Sequence, residues 1–309
     1  MSANLFNKTP VSTMKYSLRQ LQIFLAIARY QNISRAAEQL HMSQSAASSA
    51  LQTLEQTFNI SLFKRSGKKL ELNEVGKTLR NKAQMLVAHA EEFEQALAGH
   101  GDIGHLKVGA SFTIGNHLAV SYLAGYLLQH PEAQVDINVG NSPDIVNKVL
   151  NYEVDIGMIE GEMHHPELEL IPWREDRLVV FCSPDHPLAK KKNLTDADIV
   201  SARWILREAE SGARQTFNKA LVGLVPKLDI YLQFKHNEAI KKAVEAGMGL
   251  GCLSEIVLQN NFKSGELVPL NLPKRDMTRT FYFALPKNRH MTAAIEWWMQ
   301  ECHGTAQGG

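Results

Sequence analysis

The chain has no apolar run that approaches the roughly 18 to 20 residues of a membrane span. It also lacks the short apolar segment and small-residue cleavage site of a secretory signal. Its 309 residues include only three cysteines, Cys182, Cys252 and Cys302, which lie far apart. Because scattered cysteines in odd number argue against a disulfide framework, we expect buried thiols in a cytoplasmic protein; a redox-sensing pair is the alternative.

Acidic residues are scarce in the first part of the chain. Residues 1–82 contain 12 Lys and Arg against 4 Asp and Glu, whereas residues 101–309 contain 21 against 25. The overall charge of +1 therefore conceals a basic N-terminal part and a weakly acidic remainder. This asymmetry predicts that the N-terminal part binds nucleic acid.

Residues 14–73 have the pattern of three helices, and residues 1–13 are expected to form a flexible extension. Apolar residues at helical spacing predict a first helix over Leu18–Tyr30. Ser34 is expected to cap a short second helix that ends at Leu40. Ser43 is expected to cap a third helix that runs to Phe58.

A basic hairpin is predicted to follow these helices. Leu70-Glu71-Leu72 alternates after a turn at Gly67, which is the spacing of a two-stranded wing. The hairpin contains the basic residues Lys64, Arg65, Lys68 and Lys69. A solvated surface hairpin would have the same pattern, but its position next to the third helix favours phosphate contacts.

The third helix is predicted to have an apolar face and an uncharged polar face. Ala47, Leu51, Leu54 and Phe58 are expected to pack inward. Short hydroxyl and amide side chains on the other face can approach base edges in the major groove. Together with basic residues that would contact phosphates, the predicted DNA-binding residues are Ser34, Arg35, Ser43, Gln44, Ser45, Ser48, Ser49, Gln52, Lys64 and Arg65.

Residues 74–100 are predicted to form a long linker helix that pairs with a second copy of the chain. Its small and apolar residues recur at intervals of seven, as in a coiled coil. An amphipathic helix that packs only on its own core is the alternative. The predicted dimerisation residues are Leu79, Ala83, Leu86, Ala90, Phe93 and Leu97.

Residues 101–303 alternate between strand-like and helix-like segments, and residues 304–309 are expected to form a loose tail. Strands are predicted over 106–110, 135–139, 155–159 and 178–182, with helices over 115–129 and 143–151. The alternation predicts an α/β domain with largely parallel sheets, within which two subdomains are expected.

Polar residues follow several of these strands, where α/β sheets bind ligands. Arg207 and Arg214 are expected to supply cationic donors, which favours a small anionic effector. Each Ser or Asn could equally be a simple helix cap. The predicted effector residues are Ser111, Thr113, Asn141, Ser142, Glu160, Arg207, Ser211, Arg214 and Asn237.

The motifs of the first 65 residues resemble the winged helix-turn-helix of LysR-type transcriptional regulators. The resemblance rests on Leu18-Arg19-x-Leu21-x-x-Phe24, Ala36-Ala37, Ser43-Gln44-Ser45-Ala46, Leu54-Glu55 and Leu62-Phe63-x-Arg65. It implies an α+β multidomain protein. The N-terminal domain would be an all-α winged helix-turn-helix with a long linker helix. The second would be an α/β effector domain like periplasmic binding proteins, made of two Rossmann-like subdomains.

The resemblance also implies subdomain boundaries and partners. The first subdomain would comprise about 105–177 and 280–303, completed by the C-terminal segment, and the second about 178–279. The partners would be double-stranded promoter DNA, a small effector and other copies of the chain in a dimer or a tetramer of two dimers. RNA polymerase is a further expected partner.

A narrower resemblance concerns the second half of the chain. The segments GASFTIGN, VGNSPDIV, DIGMIEG and WILREAESGAR resemble the subgroup that contains CysB-, CysL- and YeiE-type regulators of sulfur metabolism. This implies a sulfur oxyanion such as sulfite as the effector. Glu160 would then lie beside an anion, which requires that it be protonated or paired with an arginine.

Two other classes of protein share the α/β pattern. A solute-binding protein would have no use for the winged unit and would usually carry an export signal. For an enzyme, no serine, cysteine or phosphate-binding motif stands out. We therefore expect a regulator that is not an enzyme, with no cofactor and no metal site.

Overall fold

The computed structural model describes residues 14–66, 69–97, 105–161, 163–287, 289 and 291–306. The chain divides into two compact units, residues 1–99 and 100–309. Within the described residues, no helix is long and apolar enough to cross a membrane. The first unit contains α1 (Leu18–Tyr30), α2 (Ile33–Gln39), α3 (Gln44–Phe58), β1 (Phe63–Ser66), β2 (Lys69–Leu72) and α4 (Glu74–Leu97).

Helix capping sets the boundaries of the first three helices. α1 begins after Ser17, which forms a capping box with Gln20, and α3 begins after Ser43, as predicted. The prediction for α2 is wrong, because Asn32 and not Ser34 is its N-cap. Asn32 accepts a hydrogen bond from the Arg35 amide at 3.1 Å, which places Ser34 inside the first turn.

The core of the first unit joins the three helices to the hairpin and to α4. Ala47, Leu51 and Leu54 are buried as predicted, but Phe58 is 42% exposed because it lies at the end of α3. β1 and β2 form an antiparallel pair. Gly76 lies close to Leu62, the residue before β1. A Cβ at Gly76 would be 2.1 Å from the Leu62 carbonyl oxygen, so any larger residue would push α4 away from the hairpin.

The second unit is built on a nine-stranded mixed sheet. Its strands are β3 (His105–Ser111), β4 (Gln134–Gly140), β5 (Ile156–Glu160), β6 (Leu168–Cys182), β7 (Arg203–Arg207), β8 (Asp229–Phe234), β9 (Leu250–Ser254), β10 (Val268–Leu270) and β11 (Thr278–Pro286). The order is β4-β3-β5-β11-β6-β9-β7-β8, and β10 pairs with β6.

The expectation of largely parallel sheets holds only within each half of this unit. β4, β3 and β5 are parallel, and so are β9, β7 and β8. The long strands β6 and β11 join the two groups and run antiparallel to their neighbours. They therefore belong to both halves of the sheet.

Helices cover the sheet. They are α5 (Phe112–His117), α6 (Ala119–Gln129), α7 (Ser142–Leu150), α8 (Asp196–Ser201), α9 (Gly212–Ala220), α10 (Asn237–Glu245), α11 (Glu255–Ser264) and α12 (Ala293–Ala306), with a short 3-10 helix over Val225–Lys227. The single helix predicted over 115–129 is instead two helices, which meet at Leu118.

Each half of the sheet has its own apolar core. The core of the first half includes Tyr122, Tyr126 and Phe283, together with Trp298 from the last helix. The core of the second half includes Trp204 and Phe217. The C-terminal helix α12 thus packs on the half of the sheet that contains β3, β4 and β5.

The three cysteines are free and buried. Burial raises the pKa of Cys182 to about 11 and that of Cys252 to about 12, and it also raises the pKa of Cys302. Since the thiolate is the reactive form, these thiols are poorly suited to redox chemistry.

Candidate DNA-binding surface and effector site

The N-terminal part of α3 presents the uncharged polar face that the sequence predicts. Gln44, Ser45, Ser49 and Gln52 are exposed, and Ser48 is half-buried. The Ser43 hydroxyl oxygen accepts from the Ala46 amide at 3.2 Å and lies 3.0 Å from the Ser45 hydroxyl. This end of the helix can therefore offer hydroxyl and amide groups to base edges and backbone N–H groups to a phosphate.

Basic side chains flank this face. Arg35 on α2 and Lys64 and Arg65 on β1 are exposed, and none of the three has an ion pair among the described residues; Ser34 is also exposed. Lys64 is attracted electrostatically by Glu74, but none of the three cations is held in a salt bridge among these residues, so all three can turn toward phosphates. The predicted contribution of Lys68 lies outside the described residues.

The predicted dimerisation residues on α4 fall into two groups. Ala83 is buried in the core of its own unit and Leu79 packs against that core. In contrast, Leu86, Phe93 and Leu97 are 43%, 65% and 71% exposed, and Ala90 is half-buried. An apolar groove of about 500 Å³ lies between α4 and the helix-turn-helix, and its lining includes Tyr16, Phe58, Ile60, Leu79 and Leu86.

In the second unit, Glu160 is the centre of a buried polar cluster. It lies at the carboxyl end of β5 and is 4% exposed. Its Oε1 accepts from the Ser111 hydroxyl at 2.8 Å and from the Thr113 amide at 3.1 Å. Its Oε2 accepts from Arg279 Nη1 at 2.5 Å. Three of the predicted effector residues thus form one cluster.

The ionised form of Glu160 is stabilised by these contacts. Burial raises the pKa of this carboxyl, but Arg279 and the hydrogen bonds from Ser111 and Thr113 outweigh it, so that the pKa is lowered. The sequence analysis required that Glu160 be protonated or paired with an arginine, and Arg279 is that arginine.

Ser142 joins the cluster through the backbone of Glu160, and the neighbouring Asn141 caps α7. The Ser142 hydroxyl accepts from the Glu160 amide at 3.2 Å and lies 3.4 Å from the Glu160 carbonyl oxygen. Asn141 caps α7 by accepting from the Asp144 amide at 2.8 Å. The side chain of Asn141 is thus a helix cap, which is the alternative to effector binding that the sequence left open.

Arg207 forms a second cluster at the end of β7. Its guanidinium group is 2.8 and 2.9 Å from the two carboxylate oxygens of Glu208 and donates to Asn237 Oδ1 at 3.0 Å. It also lies 5.2 Å from the ring of Phe112, which packs on His236. Phe112 therefore brings the two halves of the domain together beside Glu160.

Arg214 is held by the protein in the same way. It donates to Asn218 Oδ1, to the Arg207 carbonyl oxygen and to Gln233 Oε1 at 3.1, 3.0 and 3.3 Å. Ser211 caps α9 by accepting from the Arg214 amide. Since both Arg207 and Arg214 are engaged internally, the donors that the sequence assigns to an anion are already in use.

Two buried donors near these clusters have no acceptor among the described residues. They are Asn237 Nδ2 and Arg279 Nη2. The two halves also touch directly here, since a Cβ on Gly212 would lie 2.5 Å from the Glu160 carbonyl oxygen. The carboxyl end of β5 and the start of α9, one from each half, are therefore in direct contact beside the Glu160 cluster.

Sequence reasoning missed Arg279, Asp176 and Phe112. Arg279 donates to Asp176 Oδ2 at 2.7 Å as well as to Glu160. The signal for Arg279 was available, because Arg279, Phe281 and Phe283 alternate on the inward face of β11. A charged side chain on the inward face of a strand must be paired, because the core offers it no water.

A winged helix-turn-helix and an α/β domain with a polar cluster between its halves define a ligand-responsive DNA-binding regulator. Residues 18–77 match the model of the bacterial regulatory helix-turn-helix proteins of the lysR family. Residues 99–307 match the model of the LysR substrate binding domain. The chain therefore belongs to the LysR family of transcriptional regulators.

Individual relatives agree with this assignment. The chain is 36% identical over 289 residues to the uncharacterized HTH-type transcriptional regulator YeiE of Escherichia coli K12, covering 94% of this chain and 98% of YeiE. It is 32% identical to the regulator CysL of Bacillus subtilis, covering 84% and 87%. A full-length variant of OxyR from Pseudomonas aeruginosa has a similar fold, with a TM-score of 0.71 at 21% identity and coverage of 94% and 95%.

Proposed function

We propose that this regulator acts in the cytoplasm and that a small oxyanion, with sulfite as the leading candidate, modulates its binding to promoter DNA. The observation that carries the effector proposal is the pair of buried donors, Asn237 Nδ2 and Arg279 Nη2, that lack acceptors among the described residues. An unsatisfied buried donor costs about 1 to 3 kcal/mol, which a ligand oxygen would recover. We assign the chain no catalytic role, since its relatives are regulators.

The charges near the clusters restrict the form of the ligand. Glu160, Asp176 and Arg279 together carry one net negative charge, and Arg207 is neutralised by Glu208. Net charge therefore does not attract an anion to these groups. Oriented donors around a small, oxygen-rich anion provide the affinity instead. The choice of sulfite depends on the resemblance of the segments around Ser111, Asn141, Glu160 and Arg207 to regulators of sulfur metabolism.

We propose that the protein binds DNA as a dimer that assembles further into a tetramer. The exposed apolar residues Leu86, Phe93 and Leu97 would contact a second copy, whose own helix would lie along the groove beside α4. Ser34, Arg35, Lys64 and Arg65 would contact phosphates, and the polar face of α3 would enter the major groove. RNA polymerase is a further proposed partner.

The division into domains follows the same proposal. Residues 14–73 would bind DNA, 74–100 would form the linker, and 101–303 would bind the effector. Within the effector domain, 105–177 and 280–303 would form one subdomain and 178–279 the other. β6 and β11, which contribute to both halves of the sheet, would form the hinge.

A thermal-shift screen of the full chain tests the effector class. Sulfite, sulfate and thiosulfate are compared with chloride at equal ionic strength. We expect at least one sulfur oxyanion to raise the melting temperature, because a ligand that binds only the folded state stabilises it by mass action. The Asn237→Ala variant should lose most of the shift, since it lacks one of the two donors that the ligand would use.

A matched control is Asn218→Ala, which removes an amide from the same domain whose side chain accepts from Arg214. It should keep the shift. If none of the three oxyanions moves the melting temperature of the wild-type protein, the effector proposal is wrong.

A further inference from the structure

Arg279 is a buried cation in the effector domain that the sequence analysis did not single out. It lies on β11, its side chain is 2% exposed, and it bonds to Glu160 and to Asp176. We propose that Arg279, besides the direct donor assigned to it above, positions Glu160 in the effector site and compensates its charge. This inference rests on the proposed function.

The first step concerns the orientation of Glu160. Its two carboxylate oxygens have separate partners, with Ser111 and Thr113 on Oε1 and Arg279 on Oε2. Contacts from β3, α5 and β11 therefore fix the plane of the carboxylate. Without Arg279, one oxygen would lose its partner and the buried charge would be uncompensated.

The second step links this carboxylate to the other half of the domain. Asp176 on β6 accepts from Arg279 through Oδ2 and from the Ser254 hydroxyl through Oδ1, each at 2.7 Å. Ser254 ends β9 and its hydroxyl oxygen caps α11 by accepting from the Ile256 amide. The position of Glu160 thus depends on strands from both halves.

The third step concerns the side chain that this place requires. A guanidinium group presents several donors in a fixed fork, whereas a lysine ammonium is a point charge on a flexible stem. Arg279 uses Nε and Nη1 for two carboxylates that lie on different strands. A lysine would keep the charge but could not hold both carboxylates in the same geometry.

The charged groups around Glu160 determine how its ionisation depends on pH. They are Arg279 on β11, Asp176 on β6, Arg207 on β7 and the half-buried His117 on α5, whose pKa is lowered by burial and by Lys241. With Arg279 present, Glu160 is ionised at neutral pH. With Arg279 removed, burial would raise the pKa of Glu160, and the carboxyl would take up a proton as the pH falls.

The experiment measures the dissociation constant of sulfite by calorimetry on the full chain at several pH values from about 6 to 8.5, because burial without Arg279 would raise the pKa of Glu160. Wild type is compared with Arg279→Met, Arg279→Lys and Arg289→Met. The ratio of variant to wild-type constants is used, because the titration of sulfite itself and of His117 affects both proteins. Arg289→Met is the control, since Arg289 pairs with Asp155 and is largely buried.

We expect the Arg279→Met ratio to be at least about tenfold at the alkaline end and to decrease toward the acidic end, where Glu160 becomes neutral and no longer repels the anion. Arg279→Lys should show a smaller loss, and it carries the test if Arg279→Met does not fold. For Arg289→Met, the ratio of variant to wild-type dissociation constants should stay near one. A lowered melting temperature alone would not produce this pH dependence.

Two results would overturn the inference while leaving the proposed function intact. One is a ratio near one at every pH. The other is a loss that does not change with pH, which would mean that Arg279 gives the ligand only a direct hydrogen bond or a structural support. If wild-type protein does not bind sulfite, the sulfite proposal fails first and the inference fails with it.

Discussion

Replacing Trp298 with alanine is expected to reduce the free energy of unfolding of the effector domain by about 3 to 5 kcal/mol. Trp298 is fully buried on α12 and packs on Tyr126 of α6, with ring centroids 5.6 Å apart. Its indole nitrogen has no hydrogen-bond partner among the described residues, so the loss comes from packing. Denaturant unfolding followed by circular dichroism measures the change.

The neighbouring tryptophan supplies the control. Trp297 is half-buried and stacks on His130 at 4.3 Å, so Trp297→Ala removes a ring of the same size from a more exposed place. We expect a cost well below that of Trp298→Ala. Equal costs would mean that the C-terminal helix does not complete the core of the first half as described.

Replacing Gln44 with alanine is expected to reduce discrimination between the preferred DNA site and other sequences by about 1 to 3 kcal/mol, roughly five- to 150-fold. Gln44 is the first residue of α3 and is exposed, and its amide can make two hydrogen bonds to one base. Nonspecific binding should change little, because phosphate contacts supply it. Competition between specific and random DNA in a gel-shift assay gives this ratio.

Gln56→Ala is the matched control for Gln44→Ala. It removes the same side chain from the same helix, but 12 residues or about 18 Å farther along the axis. Residues near the start of a recognition helix reach base edges, whereas those near its end do not. If both variants lose discrimination equally, or if neither does, the assigned face of α3 is wrong.

Local signals account for what could be predicted from the sequence. Ser43 is a strong cap, and the apolar spacing of the following residues allows only one helical face, so the start and end of α3 were predictable. For α2, two good capping residues lie two positions apart, and the sequence cannot decide between Asn32 and Ser34. The backbone at Asn32 is extended, which decides it in the structure.

Long-range pairing accounts for what could not be predicted. The sequence predicts only the last five residues of β6 as a strand, because Leu168–Arg177 contains Pro172 and several charges. That part is a strand because it pairs with β11, about 100 residues away in sequence. The same distance hid the contact between Asp176 and Arg279, and with it the arginine that pairs with Glu160.

The central claim is that the winged unit binds DNA under the control of a small ligand. Fluorescence anisotropy with a DNA site selected from a random pool tests it, at several salt concentrations, with and without sulfite. The variant Lys64→Ala/Arg65→Ala removes two exposed cations from the wing. We predict that wild-type affinity falls steeply with salt and that the slope is smaller by about one per lost phosphate contact in the variant.

Sulfite should change the wild-type affinity for the selected site and should change that of Arg279→Met much less under alkaline conditions. A wild-type protein that binds selected and random DNA equally, with an affinity that neither salt nor sulfite alters, would contradict the account.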